Sequence, residues 1–199
     1  MVKKITDTES VTIIEQSAMN AITIDCVIFG FDNGILEVLL VQHAEGISKG
    51  KWGLPGGWIK KKESIDNAAH RLLGELTGLD NIYLEQLKAF GEPDRFPLRR
   101  VITIGYYALI KREDYNVTAG FTASDAKWYR INEIPDLIYD HNEILNYSLK
   151  RLQNRVRQAP IGFNLLPEKF TFCISMNSYI IGNPYAKSHD FLHKMYYNL

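Results

Sequence analysis

The sequence predicts an α/β fold, a mixed sheet with helices packed on both of its faces. Three observations carry this. Two β-rich runs, Ile22 to Phe31 and Ile35 to Val41, meet across Asp32-Asn33-Gly34, and Asn-Gly between two such runs is a strong hairpin signature. A glycine-framed amphipathic stretch, Ser64 to Thr77, reads as a helix. Further strand-like runs then lead to a second helical stripe, Ile144, Leu145, Leu149 and Leu152.

In chain order, residues 1–20 are polar with a weak apolar patch at Val11 to Ile14, and read as a loose N-terminal arm. The hairpin follows, then a polar loop from Gln42 to Lys51, then Trp52-Gly53-Leu54-Pro55-Gly56-Gly57. Ser64 suits an N-cap, and Asp66 places negative charge in the first turn, where the helix dipole favours it. Gly78 fits the left-handed stop position. Gly74 inside the helix costs about 1 kcal/mol relative to alanine and is expected to mark close packing. Tyr83 to Phe90, Arg100 to Lys111 and Ala126 to Arg130 read as strands, and His141 to Arg157 as a helix. The main domain is therefore expected to span 21–157. Pro160 and Pro167 flank Gly162 and mark a boundary before a segment at 158–199 that is too short for its own core.

The richest stretch runs from Gly57 to Leu79. It holds Gly57, Glu63, Arg71, Glu75, Gly78 and Leu79 in a fixed frame, with Arg71-Leu72-Leu73-Gly74-Glu75-Leu76 at its centre. It resembles the Nudix box, and the preceding Trp52 to Gly57 resembles what that family places before its box. Over Ile22 to Arg157 the resemblance implies an α/β/α sandwich around a mixed sheet. It also implies three glutamates on one helix face, at the positions of Leu72, Glu75 and Leu76, where residues three and four apart are neighbours. Mg²⁺ wants hard oxygen ligands and would neutralise pyrophosphate charge there. Two of the three carboxylates are leucines. Glu63 and Arg71, which brace the loop against the helix in the resembled fold, remain. The expectation is a fold kept and a reaction abandoned. No catalytic residue and no cofactor are expected, with Glu75 and Mg²⁺ entering only for a hydrolase. Glu45, Glu92 and Asp94 are the loop carboxylates that could then help.

The C-terminal segment adds a second resemblance. Leu165 to Thr171 is similar to the joint between the Nudix part and a winged helix-turn-helix in the Nudix-related transcriptional regulators. Ile181 to Met195 is similar to the turn and recognition helix of that unit. The stretch between, Phe172 to Ile180, is short, and Leu199 falls where a wing should start, so the unit is read as truncated. The resemblance implies a homodimer, a possible DNA operator and a small effector in the old substrate cleft. That effector is an ADP-ribose-like nucleotide or a pentose such as arabinose. The ligand-binding residues expected are Trp52, Gly56, Gly57, Arg95 and Arg100. Guanidinium groups fork onto phosphate or carboxylate, although Asp94-Arg95 and Arg99-Arg100 also suit a plain solvated loop. Trp52, Trp58 and Phe29 are either stacking surfaces or core aromatics. Lys187, Ser188, His189, His193 and Lys194 form the polar face that would meet DNA. His189 and His193 have metal-ligand spacing but lack companions, so no metal is expected. The alternatives are a hydrolase acting on a nucleoside diphosphate derivative such as ADP-ribose, and a relic of a regulator that no longer binds DNA.

Composition is that of an ordinary globular protein, and the formal net charge of zero argues against broad binding to polyanions. No run of about eighteen apolar residues is present, and Met1 to Ser10 does not look like a signal peptide. Cys26 and Cys173 sit far apart in apolar contexts and read as free buried thiols of a cytoplasmic protein.

Overall fold

A computed structural model describes residues 21–32, 35–120 and 122–158. The strands are β1 (Ile22–Asp32), β2 (Ile35–His43), β3 (Trp52–Gly53), β4 (Gly56–Trp58), β5 (Glu85–Phe90), β6 (Ile102–Lys111) and β7 (Ala123–Arg130). The helices are α1 (Ile65–Thr77) and α2 (His141–Gln158). One mixed sheet runs in the order β3-β2-β1-β6-β5, with β4 also paired to β1 and β7 to β2. β1 is central. It pairs in parallel with β6 from Ile22↔Ile102 to Phe31↔Lys111 and antiparallel with β2, where Asp32 faces Ile35 across a two-residue connection.

Side chains alternate across a strand, so a central strand feeds two cores. Ile24, Cys26 and Ile28 pack with Ala69, Leu72 and Leu73 of α1. Val27, Phe29 and Phe31 pack with Ile144, Leu145 and Leu152 of α2. The α/β/α sandwich follows from that alternation. Cys26 is a free, buried thiol, and burial pushes its pKa up, so it is an inert core residue. Among the described residues no helix is long and apolar enough to cross a membrane.

α1 begins and ends as its sequence requires. The Ser64 hydroxyl accepts from the Asn67 amide at 3.2 Å. Gly78 takes φ 72°, and its amide donates to the Gly74 carbonyl. Gly74 itself corrects an expectation. A Cβ there would meet nothing nearer than the Leu79 carbonyl oxygen at 3.6 Å, an ordinary contact. The close approach lies across from it, at Gly120, where a Cβ would fall 1.7 Å from the Glu75 carbonyl oxygen. Gly120 N–H donates to Leu76 O and Thr118 N–H to Thr77 O, so this segment satisfies carbonyls that the end of α1 leaves open.

Strand limits differ modestly from the sequence reading. β5 starts at Glu85 and not Tyr83, β6 at Ile102 and not Arg100, and β7 at Ala123 and not Ala126. β3 and β4 are two and three residues long, too short to show a period of two. The expected N-terminal arm, the turn residues Asn33 and Gly34, the segment from Ala159 onward, Cys173 and all five expected DNA-binding residues lie outside the described residues.

Candidate effector cleft

The box loop is held by glycines and by one arginine. β4 lies against β1 with Asp25 opposite Gly56 and Ile24 opposite Gly57. A Cβ on Gly56 would sit 2.2 Å from an Asp25 carboxylate oxygen, and one on Gly57 would sit 2.8 Å from Leu72 Cδ2. Gly56, which a Cβ would also drive to 2.5 Å from the Ile24 carbonyl oxygen, admits only glycine, whereas a side chain on Gly57 would require Leu72 to shift. Arg71 then ties loop to helix. Its Nε and Nη2 donate to the two Glu63 oxygens at 2.8 and 2.6 Å, and Nη2 also donates to Trp58 O at 3.1 Å. Arg71 holds the Glu63 carboxyl down to about 2, helped by the Lys60 amide. The brace expected from Glu63 and Arg71 is therefore formed.

The shelf beside the brace is apolar. Leu72 and Leu76 are each 7% exposed. Leu72 packs into the α1-side core, while Leu76 packs on Val41 and Ala123. Glu75, the remaining box carboxylate, accepts from Arg71 Nη1 at 2.9 Å and lies 3.7 Å from Lys60 Nζ. Its charge is matched by two cations. Among the described residues no three His, Cys, Asp or Glu side chains gather as a metal-ligand set, and Glu45, Glu92 and Asp94 are exposed loop residues. These donors do not fit the Mg²⁺ site of a Nudix hydrolase.

The loop between β5 and β6 meets the box segment at Trp58. Arg95 was expected to meet ligand, and the structure turns it inward. Its guanidinium forks onto Asp140 at 2.7 and 2.8 Å and reaches Asp25 at 3.3 Å. His141 completes this buried group. Its Nδ1 accepts from the Leu54 amide at 2.9 Å, so its proton sits on Nε2, 3.6 Å from Asp25. Burial pushes the His141 pKa down, against the pull of Asp25 and Asp140, so the ring is neutral. Burial likewise lowers His43. Arg95 is thus a pin that fixes the 91–100 loop to β1 and to the start of α2.

The pinned loop carries an aromatic rim. Trp58 is 43% exposed. Phe96 meets it edge-on at 6.3 Å and meets Tyr139 at 5.0 Å. The Arg99 guanidinium lies over the Trp58 ring at 4.3 Å. Tyr139 has φ 52°, rare for a bulky residue, and its hydroxyl bonds Ser48 Oγ at 2.6 Å. Arg100 is exposed on the same loop. Trp52 lies elsewhere, edge-on to Tyr129 at 5.1 Å in the α2-side core, and Phe29 is fully buried. Asp25, Phe96, Tyr139, Asp140 and His141 were missed in the sequence. The one available signal was Asp25, a carboxylate inside an otherwise apolar strand. An open depression of about 510 Å³ beside Asp32, Arg112 and Trp128 is lined by none of the box residues.

The family model for the NUDIX domain matches residues 19–152. The chain belongs to the Nudix family. Among its Nudix relatives, it is 33% identical over 163 residues to the ADPR responsive transcriptional repressor NtrR of Acinetobacter baylyi, covering 80% of this chain. The chain spans 65% of that repressor's length. It is 31% identical over 117 residues to an ADP-ribose pyrophosphatase of Methanocaldococcus jannaschii, covering 57% of this chain and 68% of that protein. Its fold matches the NUDIX domain of Shewanella oneidensis NrtR complexed with ADP ribose, with a TM-score of 0.63 and 29% identity. That match covers 74% of this chain and 99% of the other.

Proposed function

We propose that this protein is an effector-sensing transcriptional regulator that binds an ADP-ribose-like nucleotide in the Nudix cleft and does not hydrolyse it. The observation that carries this is the pair Leu72 and Leu76, buried where a metal shelf would need carboxylates. The repressor relative is described as ADPR responsive, and the NrtR domain of like fold was solved with ADP ribose. Both favour a nucleotide over a pentose. In this reading the protein is a cytoplasmic homodimer, and residues 158–199 supply the contact to an operator. The effector acts by linkage: it shifts DNA affinity by the difference in its binding to the two dimer geometries. The pyrophosphatase relative keeps hydrolysis as the second reading. The test is a binding titration with ADP-ribose and with L-arabinose, alongside an operator-shift assay at several salt concentrations. Saturable ADP-ribose binding that changes the shift supports the proposal, and binding of arabinose alone refutes it.

A further inference from the structure

The geometry points to Trp58 as the base-stacking surface of the cleft, with Arg99 as a placeholder that the nucleotide displaces. This rests on the nucleotide-effector reading and names the half of the ligand that is recognised. Trp58 is an exposed indole at the start of the box loop, and its backbone is tied into the sheet. Its N and O lie in β4, and its carbonyl accepts from Arg71. Phe96 stands perpendicular to the indole with ring centroids 6.3 Å apart. The Arg99 guanidinium covers a face of the indole. Arg99 itself is exposed, four residues after Arg95, whose bonds to Asp140 anchor the loop.

Magnitudes favour exchange. A surface cation–π contact is weaker than the stacking of a nucleobase on an aromatic ring. A guanidinium lifted from the indole can fork onto the pyrophosphate attached to that base. One movement therefore recovers the lost contact and gains another. Lys61 and Lys62, just past β4, and Arg100, beside Arg99, add exposed positive charge on the two flanking loops. A neutral pentose offers neither a base for the indole nor a phosphate for these cations. The site accordingly selects an anionic nucleotide, with the base on Trp58 and the diphosphate toward Arg99.

The experiment measures tryptophan fluorescence and dissociation constants for ADP-ribose, adenosine and ribose 5-phosphate on the full chain. Four proteins are compared: wild type, Trp58→Leu, Trp58→Phe and Arg99→Gln. Trp58→Leu is expected to weaken ADP-ribose and adenosine by about 10- to 100-fold and to abolish the quench, with ribose 5-phosphate unchanged. Trp58→Phe should restore most of the affinity. Arg99→Gln should weaken ADP-ribose by about 5-fold or more while leaving adenosine as tight or tighter, because the placeholder is gone. A thermal melt confirms that each variant is folded. Unchanged ADP-ribose affinity in Trp58→Leu, or equal losses for ADP-ribose and adenosine in Arg99→Gln, overturns the placeholder and leaves the effector reading standing. Failure of ADP-ribose to bind the wild type removes both.

Discussion

Restoring the missing carboxylates should damage the fold before it restores any chemistry. The perturbation is Leu72→Glu and Leu76→Glu, singly and together. Each leucine is 7% exposed, and the Leu72 side chain underlies Gly57 so closely that even a methyl there would clash. Removing a buried leucine costs about 2–5 kcal/mol through lost transfer energy and the space left behind. A carboxyl in its place adds a desolvation penalty unless it finds a partner. Arg71, on the same helix, is already engaged by Glu63 and Glu75. About 3–5 kcal/mol per site is therefore expected, against a total stability of about 5–15 kcal/mol. For a chain of this size that lowers the melting temperature by roughly 6–20 °C per substitution. Leu72→Glu should be the worse, because it sits in the main core while Leu76 sits in a small satellite cluster. The pair will not be additive, since the two sites are one helical turn apart. The assay is thermal and urea unfolding of the full chain, with and without Mg²⁺. A melting temperature within about 2 °C of wild type for both single variants would show instead that the shelf is solvated.

Three other outcomes are expected. Arg95→Met leaves Asp25 and Asp140 buried or half-buried without their cation, which should cost about 3–5 kcal/mol; urea midpoints for Arg95→Met against the Arg95→Met, Asp140→Asn double variant should show partial rescue. Stability should fall as pH drops below about 6.5, because His141 and His43 resist protonation in the fold while the unfolded chain takes up protons. His141→Asn should flatten that limb, and a pH-independent melting temperature between 7 and 5 would contradict it. At lower pH a second loss is expected from Glu63, whose folded pKa near 2 lies below its ordinary 4.5, so its stabilisation is present above 4.5 and lost toward 2. Glu63→Gln should shrink that acid limb in circular-dichroism melts.

Local features of this fold were legible because their physics is local. Ser64 and Gly78 cap α1 through bonds within four residues, and Asp32 to Ile35 closes a hairpin between neighbouring strands. Glu63 and Arg71 are eight apart, and the Nudix frame predicts their brace. The long-range polar group was not legible. Arg95 meets Asp25 and Asp140 across separations of 70 and 45 residues, and no spacing rule announces such a meeting. A guanidinium on a polar loop reads as a ligand contact until the fold shows buried carboxylates behind it. Trp52 and Trp58 stand six positions apart in the same glycine-rich stretch, and only the sheet decides that Trp52 packs inward while Trp58 stays open. Gly74 misled for a related reason. The close approach belongs to a strap that arrives from Gly120, far along the chain.

In the proposed function the Nudix domain holds an ADP-ribose-like nucleotide without cutting it. Phosphorus NMR of ADP-ribose incubated with the full chain and Mg²⁺ or Mn²⁺ tests both halves at once. The resonances are expected to shift or broaden in saturable fashion as protein is added, with the pyrophosphate intact after prolonged incubation. Catalytic conversion to two phosphate monoesters, at about 1 s⁻¹ or faster, would contradict the proposed function.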